Sequence, residues 1–416
     1  MNRAVRVFLL CLYLLCLTLP CLAQDPTPQA STRAQGANIE GVDTLDWKLG
    51  RASLVYRARV ASAVYGERYI LVAGGYGLDG KGKRELEIFD TVTGEWTLGI
   101  PLPDDPTQYL YAPPEGLAVA ICGEYLHAIG YGYSTRVRQV GYDAVYHIPS
   151  GTWRVLSCPF DHSYGAATAW DRYVLYLGGI GMDDPLGPGG QTLKGVHAYD
   201  TIRGEWFEVA PMLSARRYGA AATCGERVYT GGGEPDLNRF ESWDPFSNSW
   251  SALAPIPHGR FAFSLVAAGD GLYAVGGQDY DGVVSEVDRY NTRTNTWDWV
   301  GHMRTARRGV AAGFANGRLY AIEGASGGYS GPTIYLYNIN EYAQLATPTA
   351  TETASPTATP TCTVTGTPTP TPTGTPTETS TATATVTAVP SVTATPTATP
   401  TTTRTAGSVY LPIILR

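Results

Sequence analysis

The sequence predicts an all-β protein: a six-bladed β-propeller, its ring closed by an N-terminal outer strand and followed by a Thr/Pro-rich stalk. Three observations predict it. Five segments share one ending, FDTVTGEW, YHIPSGTW, YDTIRGEW, WDPFSNSW and YNTRTNTW, at Trp96, Trp153, Trp206, Trp250 and Trp297, with intervals of 57, 53, 44 and 47 residues. Paired glycines at 74–75, 178–179, 232–233 and 276–277 close apolar runs upstream of four of these endings. A further tryptophan, Trp47, stands 49 residues before Trp96, in phase but without the shared ending. Self-similarity at a period of about 40–50 residues, with four strands per repeat, is how propeller blades read in sequence.

Residues 1–23 read as an export leader. Arg3 and Arg6 precede an apolar run from Val7 to Leu19, and Cys21-Leu22-Ala23 offers small residues for cleavage. That run falls short of the ~20 residues a membrane span needs, so no transmembrane helix is expected in the mature chain. Residues 24–43 form a linker, and the repeats fill 44–345.

Within each repeat an aromatic stands seven residues before the tryptophan: Phe89, Tyr146, Tyr199, Trp243 and Tyr290. Two residues before the tryptophan stands Gly94, Gly151, Gly204, Asn248 or Asn295. Glycine and asparagine tolerate the positive φ of a tight hairpin, so each ending is strand, turn, strand. Runs such as GAAATCGERVYTGGG supply the two strands before it. The sixth repeat has three strands and ends at Gln344 where the ruler asks for tryptophan. Trp47, preceded two residues earlier by Leu45 rather than Gly or Asn, is therefore expected to supply the missing outer strand, which leaves no blade edge unprotected.

From 346 to 406 the chain is mostly Thr, Pro and Ala, a composition that cannot bury a core and favours an extended, disordered, polyproline II-like stalk. At about 3.1 Å per residue its central 59 residues reach roughly 180 Å. Thr beside Pro also invites O-glycosylation. Residues 407–416, GSVYLPIILR, are too short to span a membrane and read as a sorting tail, for recognition by envelope or export machinery.

The repeats resemble the kelch-repeat family, over roughly residues 44–343. In such a four-stranded meander the loops joining second to third strands and blade to blade emerge on one face. The long stretches GYGLDGKGKRE, PDDPTQYLYAPPE, GYGYSTRVRQVG and GIGMDDPLGPGGQTLKG fall there, and a rigid scaffold commonly presents binding residues on such loops. Aligned by first strand, four blades begin with arginine, at Arg59, Arg217, Arg260 and Arg307, where the other two have Pro114 and Ser163. Four guanidiniums around one channel mouth would recognise an anion. His162, His258, His302 and Tyr218 lie in the same inter-blade loops. The resemblance implies both that this face binds acidic peptides or glycans and that such arginines bond neighbouring backbone.

Net charge is −7. Removing Arg3 and Arg6 from 30 basic residues leaves 28 against 37 acidic, or −9, which argues against nucleic acid as a partner. The four cysteines after the leader, Cys122, Cys158, Cys224 and Cys362, are too few for a disulfide framework and read as small buried residues. No catalytic motif stands out. Ser326, in GASGG, lacks the strand-to-helix elbow a hydrolase serine needs. DYDG at 279–282 opens like a calcium loop but has Tyr290 where a bidentate Glu belongs. No metal and no cofactor is called for; the Tyr–Cys copper chemistry of galactose oxidase-type propellers finds no assignable pair.

The expected function is that of an exported, surface-displayed recognition protein taking an anionic peptide or glycan, with an unnamed protein or glycan partner. The alternative is a mutarotase for an acidic sugar such as sialic acid, a reaction the resemblance implies, with Glu234 or Asp279 as acid–base groups.

Overall fold

The architecture is that of a computed structural model, which describes residues 45–345 apart from 78, 80, 104–114, 133–139, 182–189 and 328–334. The leader, linker, stalk, tail and Cys362 lie outside the described residues.

Six antiparallel four-stranded sheets form the ring. Blade 1 comprises Ala61–Tyr65, Tyr69–Ala73, Leu86–Asp90 and Glu95–Leu98. Blade 2 comprises Glu115–Cys122, Tyr125–Gly132, Val140–His147 and Thr152–Ser157. Blade 3 comprises Ala166–Trp170, Tyr173–Leu177, Val196–Asp200 and Glu205–Val209. Blade 4 comprises Ala220–Cys224, Arg227–Gly231, Phe240–Asp244 and Ser249–Ala252. Blade 5 comprises Ser264–Ala268, Gly271–Val275, Glu286–Asn291 and Thr296–His302. Blade 6 takes Ala311–Ala315, Arg318–Ile322 and Asn340–Gln344 from the end of the ring and Trp47–Leu49 from its start. Trp47 lies opposite Ala343 in that closing pair, as the missing sixth tryptophan required. First strands of neighbouring blades lie side by side right round the ring, blade 6 against blade 1 included.

The shared ending folds as its residues dictate. Gly94, Gly151, Gly204, Asn248 and Asn295 all adopt positive φ, between 47° and 74°. The turn is held from its first residue: one side-chain oxygen of Asp90, Asp200, Asp244 or Asn291 accepts two backbone N–H groups. Each tryptophan then lies directly across from the aromatic seven residues before it. Ring centroids are 4.7 to 5.3 Å apart in four of the five pairs.

These tryptophans also join blade to blade. The indole N–H of Trp96 donates to Arg51, Trp153 to Ile100, Trp250 to Ala210 and Trp297 to Ala254. Every acceptor lies four residues past the tryptophan of the preceding blade. Six apolar clusters, one between each neighbouring pair of blades, make up the core. Cys122 and Cys158 are buried and Cys224 is half-buried, none in a disulfide.

Candidate functional site at the channel mouth

In five blades three consecutive residues enter the first strand, and each of the three has a fixed task. Backbone bridges from Ala58 to Tyr76, Ser163 to Ile180, Arg217 to Glu234, Phe261 to Gln278 and Arg308 to Ala325 identify the middle residue in five blades. The residue before it points into the blade. The residue after it adopts positive φ and faces the channel.

The inward position holds Arg57, His162, Arg216, Arg260 and Arg307. All four arginines are buried, and they share one pattern of bonds. Each donates to a carbonyl just after the second strand, at Gly74, Gly232, Gly276 or Glu323, and to one at the entry to the third, at Glu85, Arg239, Glu286 or Ile339. Each pairs with a buried acid on the third strand: Glu87, Glu241, Asp288 or Glu341. In blades 1, 4 and 6 that acid also accepts the backbone N–H three residues before the arginine, from Leu54, Leu213 and Arg304. In blade 5 that residue is Pro257, which has no N–H to give, and the His258 ring nitrogen lies 3.1 Å from the Asp288 carboxylate instead.

Arg260 and Arg307 are thus fully buried parts of the blades and do not line the mouth, which corrects the expected ring of four arginines. The expected alignment was out of register: Arg59 lies two residues past the clamp position and Arg217 one. Pro114 lies outside the described residues. Blade 3 replaces arginine and acid together with His162 and His197. Phe160 stacks on His197 at 4.2 Å, and the two imidazoles are 5.4 Å apart. Burial first, then the His162 ring, pulls His197 down to about 4. His302 ends the outer strand of blade 5, exposed and 6.3 Å from the Trp299 ring, away from the mouth.

The channel-facing position holds Arg59, Gly116, Tyr164, Tyr218, Ala262 and Gly309, with φ between 50° and 60° in all six. A backbone belt joins them: Arg59 N–H donates to Gly309, Gly309 to Ala262, Ala262 to Tyr218, Tyr218 to Tyr164 and Tyr164 to Gly116. Left-handed backbone is costly for residues such as Arg and Tyr, and the belt holds it in place. Below the belt the first strands line a cavity of about 160 Å³ with small residues, among them Ala61, Ala118, Gly165, Ala220 and Ser264.

Chemistry is concentrated at the rim. The Arg59 guanidinium lies 5.6 Å from the centre of the Tyr76 ring, 5.8 Å from Tyr164 and 5.7 Å from Tyr218. Tyr164 and Tyr218 rings are 4.8 Å apart, and the Tyr76 and Tyr164 hydroxyls 3.1 Å. Arg217 lies 5.9 Å from the Tyr218 ring and donates from Nε to Glu234 at 2.8 Å. Buried Phe261 sits between Tyr218, at 6.3 Å, and exposed Tyr280, at 6.5 Å. Glu234 is therefore committed to Arg217, and Asp279, buried, accepts the N–H groups of Asp281 and Gly282. Ser326 sits on a short strand pairing, hydrogen-bonded to the Tyr337 hydroxyl at 2.9 Å.

The structure brings Arg59, Arg217 and Tyr218 together and sets Tyr76, Tyr164 and exposed Tyr280 beside them. A signal for one of these was present: Tyr164, like Tyr218, stands immediately before the glycine opening GAA, in SYGAA and RYGAA.

A family model for the kelch motif matches residues 259–303, a stretch that covers blade 5 from its entry to the end of its fourth strand. No curated protein matches the chain. One matched motif within a ring of six blades built to the same plan makes this chain a kelch-repeat β-propeller.

Proposed function

We propose that this propeller is a binding protein whose channel mouth takes an anionic peptide or glycan, and that the chain is exported and held at the cell surface. The observation that supports the mouth is the Arg59 guanidinium set among three tyrosine rings, with the Arg217–Glu234 pair beside it. A guanidinium on aromatic faces is pre-oriented and weakly hydrated, so it gives up little on meeting a carboxylate or sulfate. The surrounding rings offer flat apolar faces to the rest of the ligand. The basic leader with its apolar run supports export.

The test is a glycan array together with display of Asp/Glu-rich peptides, probed with the purified chain. Selective binding of acidic members, weakening as salt rises, is expected. Binding confined to neutral ligands, or insensitive to salt, would overturn the reading.

A further inference from the structure

The hairpins joining first to second and third to fourth strands emerge on the face opposite the mouth. There blades 3 and 4 present a row of four aromatic rings. Phe246 lies 5.8 Å from Trp170, Trp170 lies 6.1 Å from Tyr173 with the planes 4° apart, and Tyr173 lies 5.7 Å from Phe207. Trp243 supports Trp170 edge-on at 6.2 Å. Phe246 is 74% exposed and Phe207 43%. Where blade 4 has Phe246 at its hairpin tip, other blades have Val92, Pro149, Ile202 and Arg293. Where blade 3 has Trp170, others have Tyr65, Cys122, Cys224, Ala268 and Ala315. The row is thus peculiar to this seam, and ring size is not what the fold requires there. Contiguous exposed apolar surface of this kind marks an interaction site.

We propose that this row is the docking groove for the chain's own Thr/Pro tract, residues 346–406. Three observations carry it. Proline-rich segments in the polyproline II form dock against aromatic rings, because the helix is already extended and loses little entropy. Hydrogen-bonding capacity is complementary: proline has no N–H and the polyproline helix makes no internal bonds, so the tract is rich in free carbonyl acceptors. The row is edged with guanidiniums that have further N–H groups to give: Arg172 lies over the Tyr173 ring at 4.9 Å, and Arg203, its side chain 73% exposed, extends from the neighbouring hairpin, both paired with Asp200.

The third observation is where the tract starts. The third strand of blade 6 runs toward this same face, and Leu345 N–H donates to Gly317 on a hairpin that emerges there. Crossing the ring from blade 6 spans two blades of four strands at about 4.8 Å plus the channel, roughly 50 Å, or about 17 residues at 3.1 Å each. The tract is several times longer. It is also nearly uncharged, with Glu352, Glu378 and Arg404 its only ionisable side chains besides Cys362, so docking desolvates little charge.

The test uses the full chain with Phe246 replaced by the photo-crosslinking residue p-benzoylphenylalanine, and a matching chain with Val92 replaced as control. After irradiation, crosslinks are mapped by mass spectrometry. Crosslinks from position 246 into residues 346–406 of the same molecule are expected, about ten-fold above those from position 92 and unchanged by dilution. Excess GTPTPTPTGTP peptide, the sequence of residues 366–376, should suppress them, and the same peptide with alanine for proline should not. Crosslinks into the propeller of a second copy would make the row a self-association surface and overturn the proposal. Crosslinks no stronger than the control would overturn it too.

Discussion

Arg57 Nε donates to a carboxylate oxygen of Glu323 at 2.9 Å while its Nη2 donates to Glu87 at 2.6 Å, so one guanidinium holds two acids where blade 6 meets blade 1. The chain of charges continues, because Arg307 bonds the Glu323 carbonyl and pairs with Glu341 at 3.4 Å. Three carboxylates thus face two guanidiniums, all five fully buried. Glu323 occupies the position of Gly74, Gly178, Gly232 and Gly276 and shares their positive φ. Its second oxygen has no partner. Burial raises its carboxyl well above the ordinary range, with Arg57 opposing and Glu87 adding to the rise. A proton on Glu323 would make the five groups neutral overall.

A raised carboxyl in the folded state means that folding favours the protonated form. Its contribution is fully present below the unfolded value near 4.5 and is lost as pH rises toward the folded value. We therefore predict that Glu323→Gln, which cannot ionise, melts higher than wild type at about pH 8. The gain should be on the order of 1–3 kcal/mol, shrinking toward about pH 5. Melting curves across that range check it; an equal loss at every pH would show that the carboxylate is needed as an anion.

His197 gives the opposite dependence at the acid end. Its imidazole, held down to about 4 by burial and the His162 ring, is bound neutral in the blade. Stability should be present above the unfolded value near 6.5 and decline as pH falls from there toward 4. In a histidine-resolved NMR titration the His197 ring should stay neutral until near pH 4. A midpoint near 6.5 would contradict it.

Ring closure can be separated from indole hydrogen bonding. Trp47 is buried at 3% exposure, and its indole N–H has no partner, whereas that of Trp250 donates to Ala210. Trp47→Ala should cost about 3–5 kcal/mol. Trp250→Phe leaves a carbonyl unpaired and should cost about 1 kcal/mol more than Trp47→Phe. Chemical denaturation of the three variants decides; a fully stable Trp47→Ala chain would mean that the N-terminal strand does not close the ring.

Much of the fold was legible because the hairpin ending repeats both its aromatic pair and its positive-φ residue, and because the missing sixth tryptophan pointed to Trp47. The site was less so. Arginines crowd the blade entries, as in RAR at 57–59, RR at 216–217 and RR at 307–308, and spacing does not show which one turns inward. Their acids lie 25 to 34 residues downstream, Glu241 from Arg216 and Glu341 from Arg307, across loops of unequal length. The tyrosine cage depends on left-handed backbone at Arg59, Tyr164 and Tyr218, which those residue types disfavour and which the belt of backbone bonds between blades holds in place.

We further predict that removing residues 408–416 leaves the melting temperature unchanged but releases the protein from cells into the medium, if SVYLPIILR is the retention signal. Fractionation with immunoblotting checks this, and full retention of the truncated chain would exclude the tail as the attachment.

The central claim, that the channel mouth is the binding site, is tested most directly by calorimetric titration of wild type, Arg59→Ala and Arg217→Ala with the strongest acidic ligand from the array. Arg59→Ala is expected to weaken binding at least about ten-fold, the loss of one charge-assisted contact of roughly 1.5–3 kcal/mol, while its melting temperature stays within a few degrees. Arg217→Ala, which breaks the pair with Glu234, should weaken it less. Unchanged affinity in both variants, with the fold intact, would mean that the channel mouth is not the binding site.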